Sequence, residues 1–196
     1  FQIRLKRVAD IVLSIFIILI TFPILIISGL FIYLEDKGPV LYFQKRVGKN
    51  GNNFKICKLR TMNINAEKKG ARWSQKNDLR VTNIGKFLRS SRIDELPQLF
   101  SVLVGDMSLI GPRPERPEID LILKEQIPFY DLRYLIRPGL SGWAQVNLPY
   151  GSSVNDSESK LTYDFFYIKN FSFWLDMLIF FRTIRLVLRR EGSIPK

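Results

Sequence analysis

An uncharged apolar segment from Ile11 to Leu34 constrains this chain more strongly than any other feature of its sequence. Few small or polar residues interrupt it, namely Ser14, Thr21, Pro23, Ser28 and Gly29. As a helix, these 24 residues reach about 36 Å, enough to cross the hydrocarbon core of a bilayer. The segment is too long for a signal peptide, and no small-residue cleavage site follows it. The sequence therefore predicts a membrane-bound protein.

Both ends of this segment carry positive charge, which normally marks only the cytoplasmic flank of a spanning helix. The basic residues are Arg4, Lys6 and Arg7 before it, and Lys37, Lys45, Arg46 and Lys49 after it. Pro23 lacks the N–H that would bond to the carbonyl of Leu19, although hydroxyls such as those of Thr21 or Ser14 can satisfy freed backbone groups. Two interpretations stay open: a re-entrant helix over residues 1–36, broken at Pro23, and a kinked helix that spans the bilayer.

The composition restricts the chemistry available to the remaining domain, residues 37–196. The chain contains no histidine and one cysteine, Cys57, which excludes an internal disulfide and a Cys-based zinc site. Any catalysis must therefore depend on carboxylates, Lys, Arg and hydroxyls, with or without a hard metal ion bound by oxygen. The net charge of +12 suits an anionic lipid surface, a nucleic acid or an anionic substrate, and the apolar segment favours the lipid.

The remaining pattern predicts an α+β fold that is mostly helical and contains one small β-hairpin. The hairpin is expected within Pro39–Met62, with its turn at Lys49–Asn52, because strand-like segments flank an Asn-Gly pair. Residues 63–80 are polar and form either a lid or a solvated connection. Helices are predicted over Asn83–Ser91, Asp94–Val104, 118–127 and Phe171–Arg190, with Gly105 as the C-cap of the second.

The last of these helices is amphipathic. Arg182, Arg185 and Arg189 share one face, whereas apolar residues occupy much of the rest: Phe173, Trp174, Met177, Leu178, Phe181 and Ile184. Such a helix either lies in the lipid headgroup region, with its arginines towards phosphates, or packs on the core of the domain. The residues alone leave both interpretations open.

The strongest catalytic candidates are the adjacent carboxylates Asp94 and Glu95, at the predicted start of a helix. Partly unpaired N–H groups and the helix dipole favour an ionised carboxylate and an incoming phosphate at such a position. Arg89 and Arg92 lie just upstream. A carboxylate kept ionised among cations can attack phosphorus once a divalent metal neutralises the phosphate oxygens. The structural alternative is that Asp94 is an N-cap and Glu95 a favourable first-turn charge.

The second candidate is Arg113, because prolines flank it on both sides. Pro112 and Pro114 fix the local backbone, so the guanidinium is presented from a stiff loop and is suited to a diphosphate. The structural alternative is a rigid turn with a solvated arginine. Further candidates for the cationic surface, each also explained as a solvated charge, are Lys58, Arg60 and Arg137.

Taken together, four stretches resemble the bacterial sugar transferases, also called monotopic phosphoglycosyl transferases. They are Lys58–Met62, Asp94–Leu99, Gly105–Pro114 and Arg137–Asn147. The resemblance covers essentially the whole chain. It implies transfer of a sugar-1-phosphate from a UDP-sugar to a polyprenyl phosphate such as undecaprenyl phosphate, with release of UMP. In the family this is the first membrane step in making a surface glycan.

The resemblance also implies roles for individual residues. Asp94 matches the nucleophile that forms a phosphosugar-enzyme intermediate, and Glu95 matches an essential neighbouring acid. Mg²⁺ is required in the family, and we expect Asp94 to be its protein ligand. Arg113 matches an arginine at the donor-phosphate site, and Arg89 matches one near the lipid phosphate.

The family carries a re-entrant helix broken by proline, often as a Ser-Pro pair, which favours the re-entrant interpretation here. In this chain Phe22 precedes Pro23, and Thr21 lies one position earlier. The resemblance places the site at the cytoplasmic face of the bacterial inner membrane, against anionic phospholipid, and implies no nucleic acid partner. The tail resembles that of the large family members, and the first residue, Phe1, fits the catalytic part of such a member, for which a homodimer stays open. Origin from the smaller, stand-alone members stays open as the alternative.

Two other functions remain as alternatives. A membrane-anchored basic module would bind anionic lipid or nucleic acid without chemistry. A lipid-phosphate hydrolase would use the same carboxylate and release free sugar phosphate. Release of UMP from a UDP-sugar excludes the first, and a lipid-linked product excludes the second.

Overall fold

The computed structural model describes residues 2–67, 70, 78–149, 151 and 153–190. These residues are mostly helical and include two small two-stranded sheets, which confirms the predicted α+β class. The α-helices are α1 (Gln2–Asp36), α2 (Asn83–Ser90), α3 (Leu99–Val104), α4 (Pro117–Gln126), α5 (Trp143–Asn147), α6 (Val154–Lys169) and α7 (Phe173–Leu188). The strands are β1 (Leu41–Val47), β2 (Asn53–Leu59), β3 (Ser108–Ile110) and β4 (Gly139–Ser141), and 3₁₀ helices lie at Lys49–Gly51, Ile93–Gln98 and Tyr130–Leu135.

The predicted β-hairpin is confirmed. β1 and β2 pair in antiparallel register, from Leu41 opposite Leu59 to Val47 opposite Asn53. The turn is tight because Asn50 and Gly51 have positive φ angles of 57° and 76°. Glycine adopts this backbone conformation without strain, and asparagine adopts it more readily than most residues.

The second sheet brings two Gly/Pro-rich loops together. β3 pairs with β4 in parallel, and glycines allow the two backbones to approach closely. A Cβ on Gly139 would lie 2.1 Å from the backbone nitrogen of Gly111, and one on Gly142 would lie 2.3 Å from the carbonyl oxygen of Gly111. No larger residue fits at either position, so the pairing fixes the path of the chain as it enters Pro112 and Arg113.

α1 lies along the rest of the protein and contacts it near both ends. Near the start of α1, Arg7 donates hydrogen bonds to the carbonyl oxygens of Val102 and Leu103 in α3, at 2.6 and 2.8 Å. These are orphan carbonyls of the last turn of α3, which a cation satisfies well. At the end of α1, Asp36 forms a two-pronged ion pair with Arg60, which follows β2.

A buried polar network also joins the start of α1 to the core. Lys6 pairs with Asp176 of α7 at 2.7 Å, and Tyr167 of α6 donates its hydroxyl proton to the same carboxylate at 2.6 Å. Asp10 accepts a hydrogen bond from the backbone N–H of Leu109 in β3 at 3.1 Å. Each buried charge thus has a partner, as an interior of low dielectric constant requires.

The opposite face of α1 exposes large apolar side chains along its length, including Val12, Phe16, Leu19, Ile20, Ile26, Ile27, Phe31 and Leu34. Among the described residues, α1 is the one helix long and apolar enough to cross a membrane. The predicted break at Pro23 is not confirmed, because the helix continues through this residue. The hydroxyl of Thr21 donates to the carbonyl of Ile17 at 2.7 Å rather than to that of Leu19. The choice between a re-entrant and a spanning segment stays a prediction.

The predicted helix from Asp94 to Val104 is wrong in its first half, where residues 93–98 form a 3₁₀ helix instead. The residue before that helix is Arg92, with a φ angle of 55°, so Asp94 is not the N-cap. Pro97 has no N–H to donate, which removes the first α-type hydrogen bond and favours the tighter turn. The carboxylate therefore sits inside the turn rather than at its entrance.

The other predicted helices are confirmed within a residue or two at each end. α2 begins after Thr82, whose side chain accepts from the backbone N–H of Gly85 at 3.0 Å. Gly105 ends α3 with a φ angle of 104°, the expected left-handed C-cap. α7 buries Ile179 in the main core and exposes Trp174, so it packs on the domain and also presents an apolar face outward. Its predicted place in the headgroup region stays a prediction.

Candidate active site

A cavity of about 400 Å³ lies between the β-hairpin, the 93–98 turn, the Pro112–Arg116 loop and α6. Both candidate acids and most candidate cations line it. The lining is strongly basic, with Arg46, Lys58, Arg60, Arg80, Arg89, Arg92, Arg113, Arg116, Arg133 and Lys160, against the acids Glu67, Asp94, Glu95, Glu115 and Asp164. Such an excess of cations in a recess attracts and holds an anionic substrate.

Three cations surround the carboxylate of Glu95. Arg113 donates two hydrogen bonds to it, Lys58 lies at 3.1 Å, and Arg92 lies at 3.7 Å. Burial would raise the pKa of Glu95, but the charges of Arg113 and Lys58 dominate and hold that pKa well below its usual range. Glu95 is therefore an ionised anchor that fixes the positions of the cations around it.

Asp94 differs sharply from its neighbour. The residue is only 7% exposed, and no described side chain makes a hydrogen bond with it. Burial and the adjacent charge of Glu95 raise the pKa of Asp94 to about 6, against the opposing effect of Lys58, Arg89 and Arg113. Around neutral pH Asp94 is a carboxylate whose oxygens accept no hydrogen bond from the described side chains, the form that a nucleophile towards phosphorus needs.

The predicted cations are brought together only in part. Lys58 and Arg113 meet at Glu95, and Arg89 lies in the cavity wall, where its Nε donates to the hydroxyl of Thr61 at 2.8 Å. Arg60 also lines the cavity, but its guanidinium is committed to Asp36 and to the carbonyl of Pro39. Arg137 lies outside the cavity lining, and its Nε donates to the carbonyl of Gly105 at 2.8 Å.

The loop that carries Arg113 is held by its carbonyl groups. Prolines supply no N–H, so the usual backbone donors are missing on either side of Arg113. Instead, a separate donor engages each of four consecutive carbonyls: Gly139 N to Pro112 at 2.8 Å, Arg133 Nη2 to Arg113 at 2.8 Å, Arg46 Nη1 to Pro114 at 2.9 Å and Val47 N to Glu115 at 2.9 Å. The guanidinium of Arg113 thus projects from an immobilised backbone.

Sequence reasoning missed several residues of the cavity. The sequence places Arg46 in the basic flank of the membrane segment, yet in β1 its half-buried side chain donates to Gln44 and to the Pro114 carbonyl. The strand alternation that places Arg46 on the same face as Lys58 was the available signal. Arg133 and Lys160 lie in segments without any motif, so no local pattern could identify them.

A magnesium ion fits this site only if the substrate supplies further ligands. The described residues hold no group of three or more acidic, His or Cys side chains that could bind a metal. Lys58 and Arg113 engage the oxygens of Glu95, whereas no side chain in the described part of the chain makes a hydrogen bond with Asp94. Mg²⁺ usually binds one or two carboxylates together with waters and substrate phosphates. Asp94 and a diphosphate together meet that requirement.

Comparison with known proteins identifies the family of this chain. The family model for bacterial sugar transferases matches residues 1–190, and the chain belongs to this family. It is 48% identical over 96% of its length to the UDP-N-acetylgalactosamine-undecaprenyl-phosphate N-acetylgalactosaminephosphotransferase of Aeromonas hydrophila. It is 52% identical over 67% of its length to the putative undecaprenyl-phosphate N-acetylgalactosaminyl 1-phosphate transferase of Bacillus subtilis.

A third relative is the UDP-glucose:undecaprenyl-phosphate glucose-1-phosphate transferase of Klebsiella pneumoniae, 39% identical over 91% of this chain. The chain spans 45% of the Aeromonas relative, 39% of the Klebsiella relative and 73% of the Bacillus relative. Members of this family therefore differ in length and in the sugar that their names give.

Because Asp94 and Glu95 lie in unequal environments, removing the charge of one is predicted to stabilise the fold and removing the charge of the other to destabilise it. Because the pKa of Asp94 is raised, ionising it costs folding free energy, and this cost develops as the pH rises from about 4 to about 6. The shift corresponds to at most about 3 kcal/mol. We expect Asp94→Asn to raise the thermal midpoint at pH 8 by several degrees, measured in detergent micelles.

Glu95→Gln is the matched comparison. The pKa of Glu95 is lowered, so its ionised form contributes stability above its unfolded pKa, and that contribution is lost as the pH falls. Removing its charge also leaves Arg113, Lys58 and Arg92 crowded together without their shared anion. We expect the midpoint of Glu95→Gln to fall at pH 8. A midpoint for Asp94→Asn below that of the wild type would contradict this account of the acid pair.

Proposed function

We propose that this chain transfers a sugar-1-phosphate from a UDP-sugar to a polyprenyl phosphate, releases UMP and so begins the synthesis of a surface glycan. The observation that carries the proposal is the pair of adjacent buried acids in one cationic cavity, with Glu95 fixed by three cations and Asp94 left without a hydrogen bond among the described residues. The names of the Aeromonas and Klebsiella relatives supply both substrate classes.

In the proposed mechanism Asp94 is the nucleophile. One carboxylate oxygen attacks the phosphorus that carries the sugar, the bond from this phosphorus to the UMP oxygen breaks, and UMP leaves with the electron pair. An oxygen of the lipid phosphate then attacks the same phosphorus, and the Asp94 carboxylate leaves with its electrons. Both attacking groups are anions, so neither step needs a general base, which suits a chain without histidine.

The other residues have supporting roles. Arg113 and Lys58, held by Glu95, offer donors to the diphosphate and stabilise the charge that develops on the leaving UMP. Arg89 is the candidate contact for the lipid phosphate. Mg²⁺, bound by Asp94 and phosphate oxygens, would neutralise part of the phosphate charge. A covalent intermediate lets a soluble donor and a lipid acceptor use one phosphate site in turn.

The contacts and the apolar face of α1 support a one-sided placement at the membrane. Its outer face is apolar, while Arg7 near one end and Asp36 at the other both bind the same domain. A helix crossing the bilayer would carry these ends to opposite sides, about 40 Å apart. We therefore favour a one-sided insertion at the cytoplasmic face of the bacterial inner membrane, with the cavity at the lipid surface.

Replacing Asp94 with Asn is expected to abolish UMP release, because an amide cannot form the phosphosugar intermediate. The assay uses purified protein in detergent with Mg²⁺, undecaprenyl phosphate and a panel of UDP-sugars, beginning with UDP-N-acetylgalactosamine, for which the Aeromonas and Bacillus relatives are named. Asp131→Asn, an exposed acid outside the cavity lining, is the matched control and should keep full activity.

Each outcome of this assay separates the functions considered above. Substantial UMP release by Asp94→Asn would exclude the nucleophile assignment. No UMP from the wild-type protein with any donor would favour a phosphate-binding module without chemistry. UMP accompanied by free sugar phosphate, instead of a lipid-linked product, would favour a hydrolase.

The one-sided topology predicts that the two ends of α1 are accessible from the same side of a membrane. Single cysteines at Arg4→Cys and Lys37→Cys, in a Cys57→Ser background, are labelled by an impermeant thiol reagent added outside sealed vesicles. We expect both positions to be labelled, or both protected, in vesicles of one orientation. Labelling of one position and protection of the other would mean that α1 spans the bilayer.

A further inference from the structure

Arg133 is a buried cation whose contacts lead to Arg113 rather than to the two acids. Its side chain is 6% exposed, and its Nη2 donates to the backbone carbonyl of Arg113 at 2.8 Å. The same nitrogen pairs with Asp164 of α6 at 2.9 Å. Nη1 donates to the hydroxyl of Tyr130, and the guanidinium lies 5.0 Å from the centroid of that ring. The side chain of Arg133 is therefore held in place by Tyr130 of its own 3₁₀ helix and by Asp164 of α6, while it also contacts the loop that carries Arg113.

The contact with the carbonyl of Arg113 matters because of what surrounds that residue. Pro112 and Pro114 have no N–H, so the backbone around Arg113 depends on its carbonyls for attachment. The guanidinium of Arg113 reaches Glu95, and the Arg113 side chain, which lines the cavity, is 36% exposed. Arg133 therefore holds the backbone of Arg113 through its carbonyl group, while the side chain of Arg113 lines the cavity.

The pairing of Arg133 with Asp164 is a costly way to obtain stability alone. Burying two charges consumes most of the energy that their attraction supplies, and an apolar pair of similar volume is often at least as stable. Here burial raises the pKa of Asp164 to about 6, with Arg133 acting in the opposite direction. A directed hydrogen bond to one carbonyl is something that an apolar pair cannot provide.

We propose that Arg133, oriented by Asp164, is a positioning residue that sets Arg113 to receive the diphosphate of the donor nucleotide. The proposal rests on the proposed function for the identity of the ligand, but it concerns residues that do not touch the reacting atoms. Under this proposal, α6 and the Tyr130–Leu135 helix, which contain no catalytic motif, help to set the position of Arg113 at the donor site.

A double-mutant cycle on the binding of UDP tests this proposal. The dissociation constant of UDP is measured calorimetrically with Mg²⁺ in detergent for wild type, Arg133→Met, Arg113→Ala and the double variant. If Arg133 acts through Arg113, Arg133→Met weakens binding by about tenfold when Arg113 is present and by less than about twofold when it is absent. The same factor in both backgrounds, or no effect in either, would overturn the proposal.

Further variants separate positioning from folding. Arg133→Met leaves Asp164 as an unpaired buried charge, so Arg133→Met with Asp164→Leu removes both charges and keeps the test valid if the single variant fails to fold. We expect this pair to fold and still bind UDP about tenfold more weakly; binding as tight as that of the wild type would refute the positioning role. Tyr134→Phe removes a hydroxyl bonded to Asp120 in the same cluster, and UDP binding should be unchanged.

The readout also keeps this inference separate from the proposed function. Binding of UDP requires no turnover, so the cycle gives a result even for a protein that releases no UMP. If the wild-type protein is inactive with every donor, the transferase proposal fails while the coupling of Arg133 to Arg113 is still measured. If the protein is active and the cycle is additive, the transferase proposal survives and the positioning role is excluded.

Discussion

Two neighbouring carboxylates buried in one recess are the constraint on which the rest of the site depends. Like charges so close in a medium of low dielectric constant cannot both be ionised without compensation. The chain resolves the conflict by giving three cations to Glu95 and leaving the oxygens of Asp94 unengaged by described side chains. The resulting asymmetry separates their chemistry, because Glu95 organises cations and Asp94 retains the reactivity that a nucleophile needs.

The cations owe their positions to backbone packing at some distance from the acids. Close contact of Gly111 with Gly139 fixes the entry of the loop, and donors from three separate parts of the chain then hold the carbonyls of residues 112–115. Stiffness of this kind lowers the entropy lost when Arg113 engages a ligand. α1 is attached to the same domain, because it binds α3 near one end and Arg60 at the other.

Local signals explain how much of this arrangement could be predicted from the sequence. Asn50 and Gly51 predicted the hairpin turn, and Gly105 predicted the end of α3, because each position demands a backbone that few residues adopt. The 3₁₀ turn at Asp94 differs from the predicted α-helix because Pro97 has no N–H to donate, so the first α-type hydrogen bond cannot form. Arg133 could not be predicted at all, since its partners Arg113 and Asp164 are distant in sequence and meet only through tertiary packing.

Exchange of label between UMP and the UDP-sugar tests the central claim, a covalent intermediate on Asp94, most directly. Radiolabelled UMP is incubated with the protein, Mg²⁺ and an unlabelled UDP-sugar in the complete absence of polyprenyl phosphate. If the phosphosugar is first transferred to the enzyme, the reverse of that half-reaction incorporates label into the UDP-sugar without any acceptor. Exchange that appears only when polyprenyl phosphate is added, in a preparation that otherwise turns over normally, would show direct transfer between substrates and contradict the account.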